Sequence, residues 1–199
     1  MREHKVDLSG DPEVLRIVLA GAESTGKTTL AQALSTKFDV PYVAEFGREL
    51  TIEKYKDGME TDNWQIGEFT YIAVEQQTRE DLASVEHPRC IIADTDALVT
   101  MLFQERYLHE FPIDFEWPPP SAPHRIYLVP DPHVPFVADA IRDGEDLRQW
   151  MHDRTLTELR ARGFEPHVLT GTYDERSAQA MSIVQAILTN RRFRQVRTP

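Results

Sequence analysis

The chain has 199 residues, of which 41% are hydrophobic and 28% charged, enough apolar material for the core of one domain and too much for a chain disordered throughout. Its 33 acidic and 22 basic residues give a net charge of −11, which disfavours broad binding to nucleic-acid backbones. No stretch approaches the roughly 18 apolar residues of a membrane span, and the N-terminal segment lacks the apolar region of a secretory signal. A single cysteine cannot form a disulfide framework. The sequence therefore predicts a cytoplasmic protein.

Strand-like and helix-like segments alternate along the first half of the chain. Short β-branched runs predict buried strands, and apolar residues at every third or fourth position predict helices. We predict a strand over 14–20, a helix from Lys27 that ends before Pro41, a strand over 40–44 and a long helix over 64–85. Three aromatic residues of that long helix either stack on a planar base or belong to the core, namely Trp64, Phe69 and Tyr71.

The alternation continues in the second half. The predicted elements are a strand over 90–93, a helix from Asp96, an irregular insertion over 109–124 with five prolines, a strand over 125–129, a helix over 147–162, a strand over 167–169 and a helix over 174–188. This order is typical of an α/β fold, a three-layer sandwich in which helices cover both faces of a mostly parallel, five-stranded sheet. We therefore predict one domain over 1–199, with its core at about 14–190 and a basic, solvated tail at 191–199.

The segment Gly21-Ala22-Glu23-Ser24-Thr25-Gly26-Lys27-Thr28 matches G-x-x-x-x-G-K-[ST] between a predicted strand and a predicted helix. In such a P-loop, backbone N–H groups and the positive end of the helix dipole face phosphate oxygens, and glycine allows the close approach. The lysine of the motif reaches the β- and γ-phosphates, and the hydroxyl of its final serine or threonine ligates magnesium. We predict that ATP and Mg²⁺ bind here, with nucleotide contacts from Gly21, Glu23, Ser24, Thr25, Gly26, Lys27, Thr28 and Thr29.

Carboxylates follow the second and third predicted strands. A P-loop needs an acid at the end of a neighbouring strand to hold magnesium, and Asp94 directly follows 90–93, so we predict Thr28 and Asp94 as the metal ligands. Capping of the next helix without a metal role is the alternative for Asp94. Asp96 lies two positions further on, where contact with a ligand competes with capping of the next helix. After 40–44, Glu45 is placed to take a proton from an attacking hydroxyl.

Arg48 follows Glu45 by three positions and is predicted to bind substrate oxygens together with Glu45 and Asp96. A surface ion pair between Glu45 and Arg48 is the alternative. Two further arginines, Arg142 and Arg148, flank a charged, glycine-containing turn after the fourth predicted strand. In small kinases, a mobile lid that carries arginines neutralises charge on the phosphoryl group during transfer. We therefore predict that Arg142 and Arg148 are catalytic lid residues, and that Lys27 is catalytic as well. The alternative is that the two arginines are solvated on a helix face.

Three of these motifs together resemble the NadR-like ribosylnicotinamide kinase domain of the P-loop kinases. They are Gly-x-Glu-Ser-x-Gly-Lys-Thr at 21–28, Glu-x-Gly-Arg-Glu at 45–49 and Asp-Thr-Asp at 94–96, and 170–176 is similar to the nucleotide-side loop of that family. The resemblance covers most of 14–190. It implies ATP-dependent phosphorylation of the 5′-hydroxyl of nicotinamide riboside to nicotinamide mononucleotide, a step of NAD biosynthesis. The H-x-G-H signature of the adenylyltransferase in longer members is missing, so only the kinase half is implied.

Two alternatives stay open. The first is a kinase of the same fold that acts on another nucleoside-like acceptor, because the proline-rich segment 109–124 is expected on the acceptor side. The second is a regulatory P-loop ATPase, which would hydrolyse ATP without an acceptor or only with a protein partner. Acceptor-dependent release of ADP separates a kinase from an ATPase.

Overall fold

The computed structural model describes residues 14–56, 63–86, 89–111, 124–133 and 147–195. Within these ranges the chain forms five strands and six helices. In chain order they are β1 (Leu15–Leu19), α1 (Lys27–Phe38), β2 (Tyr42–Val43), α2 (Phe46–Lys56), α3 (Ile66–Glu86), β3 (Cys90–Asp94), α4 (Ala97–Leu108), β4 (Arg125–Pro130), α5 (Arg148–Ala161), β5 (His167–Leu169) and α6 (Tyr173–Gln195). None of these six helices has the length and hydropathy needed to cross a membrane.

The five strands form one sheet in the order β2-β3-β1-β4-β5, and all neighbouring strands are parallel. In the register, Leu19 of β1 lies beside Asp94 of β3, and Val43 of β2 lies beside Ala93 of β3. The segments that follow these three strands therefore emerge at one edge, which is where open parallel sheets bind ligands. The predicted five-stranded α/β fold is confirmed.

Helices cover both faces of the sheet, because side chains along a strand point alternately to opposite sides. Leu15, Ile17 and Leu19 of β1 belong to a buried cluster with residues of α1 and α6. Val18 belongs to a second cluster with residues of α4 and α5. β1 is buried along its whole length, as expected for a central parallel strand. The sheet is therefore the middle layer of the predicted three-layer sandwich.

Helix α2 is an element that the sequence pattern did not predict. It has few apolar residues of its own, and contacts with α3 hold it in place. The backbone N–H of Phe46 donates to Oε1 of Gln76 at 3.0 Å, and Arg79 donates to Glu49 at 2.8 Å. Tertiary contacts thus stabilise a helix whose own periodicity is weak.

Helix α6 is longer than predicted and ends at Gln195 instead of 188. No glycine or proline interrupts 174–195, so the helix continues cooperatively into the segment predicted as a solvated tail. Residues 196–199 lie outside the described residues, as do 112–123 of the proline-rich segment.

A network of buried charges joins β1 and β4 to α3 and α4. The neighbouring strand residues Arg16 and Arg125 both donate to Glu80 of α3, at 3.2 and 2.9 Å. Arg125 also donates to Asp96, at the N-terminus of α4, at 3.1 Å. All four side chains are fully buried. Because water does not reach these charges, each depends on its partners for compensation.

We expect Arg125→Met to lower the free energy of unfolding by about 3–5 kcal/mol, because Glu80 and Asp96 then lose a buried partner. Urea unfolding followed by circular dichroism measures the change. Arg79→Met is the control, since Arg79 pairs with two carboxylates but its side chain is 31% exposed, and exposed pairs contribute only about 0–1 kcal/mol. Equal losses in the two variants would contradict a stabilising role of the buried network.

Candidate active site

The loop between β1 and α1 carries the P-loop sequence and turns through positive backbone dihedrals. The φ angles are +109° at Gly21, +53° at Ser24 and +85° at Gly26, a region that glycine adopts readily and other residues rarely do. At Gly21, a Cβ would also lie 3.2 Å from Cγ1 of Val129. Helix α1 begins without a side-chain cap, so no capping side chain competes for its first N–H groups, which at helix N-termini can bind anions.

The ammonium group of Lys27 lies across this loop. Its Nζ donates to the carbonyl oxygens of Gly21 at 3.1 Å and Ala22 at 2.6 Å. An ammonium has three N–H donors, so a third is left for an anion. Oγ1 of Thr25 donates to the same carbonyl of Ala22 at 3.0 Å. These bonds tie the side chains of Lys27 and Thr25 to the backbone of the loop.

Two arginines from distant helices support the loop from outside. Nη1 of Arg176, in the first turns of α6, donates to the carbonyl oxygen of Thr25 at 2.7 Å. Nη1 of Arg106, in α4, lies 3.0 Å from Oε2 of Glu23. Both arginines are buried. The P-loop is therefore fixed by three helices, α1, α4 and α6.

Thr28 and Asp94 meet at the edge of the sheet, as their place after β1 and at the end of β3 requires. The hydroxyl of Thr28 donates to Oδ2 of Asp94 at 2.6 Å, and the hydroxyl of Tyr42 donates to the same oxygen at 3.3 Å. Burial and the carboxylate of Asp94 raise the pKa of Tyr42, so it remains a neutral donor. Oδ1 of Asp94 is buried and has no hydrogen-bond partner in the described part of the chain.

A cavity of about 340 Å³ opens beside the P-loop. Its wall combines P-loop residues with side chains of α2, α3 and α4 and of the segments before α2 and α3. The lining residues are Glu23, Ser24, Gly26, Lys27, Thr28, Thr29, Glu45, Gly47, Arg48, Thr51, Trp64, Phe69, Ile72, Thr100, Phe103 and Tyr107. Eight of these were predicted as site residues, namely Glu23, Ser24, Gly26, Lys27, Thr28, Thr29, Glu45 and Arg48. Gly21 and Thr25, also predicted, belong to the same loop but do not line the cavity.

Glu45 lies between β2 and α2, at the same edge as the P-loop. Burial and then the carboxylate of Asp94 raise its pKa to about 7, with a further increase from Glu23, while Lys27 and Arg48 lower it. A carboxylate with this pKa exchanges its proton near neutral pH, which suits a general base. The structure thus brings Glu45 and Arg48 together at the cavity.

An aromatic wall, defined here as Trp64, Phe69 and Tyr107, forms another side of the cavity. The ring of Trp64 lies 5.3 Å from that of Phe69 and 6.1 Å from that of Tyr107, centre to centre. Nζ of Lys54 lies 4.0 Å from the centre of the Trp64 ring. Trp64 and Phe69 belong to a buried cluster, as the core interpretation predicts, and they also line the cavity. Stacking on a planar base stays a prediction. Tyr71 is 54% exposed and does not line it.

Asp96 lies in the core and not in the cavity for which it was predicted. One carboxylate oxygen accepts from the backbone N–H of Val99 at 3.1 Å, as the N-cap of α4. The other accepts from Arg125 at 3.1 Å and from the hydroxyl of Tyr127 at 2.7 Å. Because both oxygens are engaged inside the fold, Asp96 has no substrate contact to offer.

Of the two predicted lid arginines, the structure describes Arg148 and does not bring it to the cavity. Arg148 is the first residue of α5; it is buried and is not among the residues that line the cavity. Arg142 lies outside the described residues, together with the rest of 134–146.

Sequence reasoning missed the contribution of α4. Phe103 and Tyr107 line the cavity, and Arg106 pairs with the P-loop. Two aromatic residues four positions apart lie on one face of a helix, and this helix directly follows the strand that ends in Asp94. That spacing could have indicated that α4 contributes aromatic side chains to the cavity, but helices that pack in a core show the same spacing.

Known proteins share this fold. A family model described as AAA domain matches residues 16–176. The crystal structure of a NadR protein in complex with NR matches with a TM-score of 0.68 at 22% identity, covering 87% of this chain and 51% of that one. The crystal structure of a NadR protein in complex with NAD and AMP-PNP matches with a TM-score of 0.62 at 18% identity, covering 87% and 49%. The chain thus spans about half the length of these NadR chains. No curated protein sequence matches it.

Proposed function

Because the chain belongs to the AAA domain family and shares its P-loop α/β fold with NadR, we propose that it is an ATP-dependent small-molecule kinase. The observation that carries this proposal is one cavity lined by the P-loop, by Glu45 and by the aromatic wall. An ATPase needs room for a nucleotide and a water molecule, whereas a kinase also needs a pocket for an acceptor beside the γ-phosphate. In this proposal the acceptor occupies the part of the cavity beside the aromatic wall.

In this proposal the acceptor lies against the aromatic wall with its hydroxyl in line with the γ-phosphate. The hydroxyl oxygen forms a bond to phosphorus while the bond between phosphorus and the departing ADP oxygen breaks. Glu45 orients the hydroxyl and takes its proton. Lys27 stabilises negative charge on the phosphates, and Arg48 binds acceptor oxygens.

Thr28 and Asp94 fit a magnesium ion bound with the nucleotide. Both offer oxygen atoms, the ligands that Mg²⁺ prefers, and Oδ1 of Asp94 is a buried acceptor without a partner among the described residues. The ion would neutralise charge on the β- and γ-phosphates. The direct Thr28–Asp94 bond of 2.6 Å keeps the two ligands together at the end of the P-loop.

We expect Asp94→Asn to raise the magnesium concentration needed for half-maximal activity and to lower kcat by roughly 10²–10³-fold, because the amide carries no charge to hold the ion. Release of ADP is measured over a magnesium titration at saturating ATP. Asp153→Asn, at an exposed position of α5, is the matched control and should behave as wild type. An unchanged titration in Asp94→Asn would leave Asp94 with a structural role.

For the acceptor we propose nicotinamide riboside, converted to nicotinamide mononucleotide in NAD biosynthesis in the cytoplasm. Three features support this choice: the motifs at 21–28, 45–49 and 94–96, the shared fold with a NadR crystallised with NR, and the aromatic wall. The nicotinamide ring of the riboside is planar and positively charged, so aromatic faces attract it by stacking and by cation–π interaction. A kinase for another nucleoside is the second candidate, because aromatic rings stack on any planar base.

Acceptor-dependent release of ADP tests the proposal. The protein is incubated with ATP, Mg²⁺ and each member of a nucleoside panel that includes nicotinamide riboside, and the phosphorylated product is identified by mass spectrometry. We expect nicotinamide riboside to stimulate ADP release and to yield the mononucleotide. Lys27→Ala protein gives the background from contaminating kinases. Stimulation by a different nucleoside would favour the second candidate, and release without any acceptor would favour a regulatory ATPase.

A further inference from the structure

The P-loop contains a carboxylate at a place that has to receive phosphate anions. Glu23 lines the cavity together with Ser24 and Lys27, and its side chain is only 18% exposed. Like charges repel each other more strongly in a partly buried site than in water. An ionised and uncompensated Glu23 would therefore weaken the binding of ATP to its own P-loop.

Arg106 supplies the compensating charge from α4. Its Nη1 lies 3.0 Å from Oε2 of Glu23, and its side chain is 5% exposed. The guanidinium group lies 4.7 Å from the ring centre of Tyr107 and 5.9 Å from that of Phe103, which fixes its position through cation–π contacts. Tyr107 and Phe103 line the cavity and Arg106 does not, so the guanidinium stands behind the wall.

We propose that Arg106 is a positioning residue that neutralises Glu23 and holds its carboxylate towards α4, so that the P-loop can accept phosphate. The inference rests on the proposed function only in requiring that the P-loop binds nucleotide. It makes nucleotide affinity depend on α4, the helix that also contributes Phe103 and Tyr107 to the acceptor pocket.

Binding of AMP-PNP with Mg²⁺, measured by calorimetry at pH 8, tests the role of Arg106 without an acceptor. We expect Arg106→Met to raise Kd by roughly 10- to 100-fold, because one charge of a buried pair is left alone. Adding Glu23→Gln to that variant should return Kd to near the wild-type value, since a neutral amide needs no counter-charge.

Arg154→Met is the matched control. Like Arg106, Arg154 pairs with a carboxylate and lies near an aromatic ring. It lies 2.9 Å from Glu105 of α4 and 5.0 Å from the ring centre of Phe111, but neither partner lines the cavity. Its Kd for AMP-PNP should equal that of wild type, and thermal unfolding of all variants separates loss of binding from loss of fold.

Equal Kd values for Arg106→Met and Arg154→Met would overturn the proposal. A double variant that binds as weakly as Arg106→Met would overturn it too, because Arg106 would then act by packing or by touching the nucleotide. If Arg106→Met does not fold, the double variant decides alone: near-wild-type binding supports the proposal and weak binding overturns it. If the wild-type protein does not bind AMP-PNP, both the proposed function and this inference are refuted. If the variants bind as expected but no acceptor is phosphorylated, the role of Arg106 is supported and only the proposed kinase activity is refuted.

Discussion

Lys27→Ala is expected to abolish phosphoryl transfer, by at least roughly 10³-fold, in a protein that remains folded. The Nζ of Lys27 donates to the carbonyl oxygens of Gly21 and Ala22, so the positive charge stands inside the loop where the phosphates would bind. The ammonium group of Lys27 bonds to the loop and not to the sheet or the helices. Removing it takes charge stabilisation away from the reaction, whereas the buried clusters of the core remain. The change therefore acts on the chemistry and not on the fold.

Release of ADP with saturating ATP measures the rate, and circular dichroism checks the fold. Lys37→Ala is the matched control, because Lys37 lies in the last turn of the same helix and is exposed. Its rate should equal that of wild type. A folded Lys27→Ala protein with near-normal turnover would refute the assignment of the P-loop as the phosphate site.

Glu45→Gln is expected to lower acceptor phosphorylation by roughly 10²–10⁴-fold, the range for loss of a general base, with Kd for AMP-PNP close to wild type. The substitution keeps the shape and hydrogen bonding of the side chain and removes its charge. Positioning matters more than base strength in a loose phosphoryl-transfer transition state, so part of the loss comes from a misoriented hydroxyl. Single-turnover phosphorylation of nicotinamide riboside measures the chemical step.

The pH profile of the wild-type protein gives an independent check of Glu45. Its pKa of about 7 means that the ionised, proton-accepting form grows as pH rises through 7, so the rate should rise over that interval. Glu45→Gln should lose this rise. Glu49→Gln is the matched control, because Glu49 lies four positions further on in α2, is exposed and pairs with Arg79. If Glu45→Gln weakened nucleotide binding and spared the rate, Glu45 would belong to the nucleotide side.

The contrast between Asp94 and Asp96 shows where the sequence stops being informative. Both acids lie at the end of one strand, two positions apart. Local pattern favours the metal site for Asp94 and leaves Asp96 between a ligand contact and capping of the next helix. Asp94 lies beside Leu19, the residue of β1 that leads into the P-loop, and bonds to Thr28. The side chain of Asp96 lies in the core, where it forms an ion pair with Arg125 of β4. A partner 29 residues further along the chain decided the outcome, and no local pattern contains it.

The sequence by itself determined the parallel α/β fold and the P-loop. Both depend on short-range physics: the β-branched runs, the helical periodicity, and eight consecutive residues whose glycines permit positive φ angles at positions 21 and 26. Only the tertiary structure decided which side chains form the rest of the cavity. Helix α2 owes its place to contacts with α3, and the aromatic wall joins residues 64, 69 and 107 from separate segments. Aromatic residues at helical spacing look the same in sequence whether they fill a core or line a pocket, because packing between helices sets the difference.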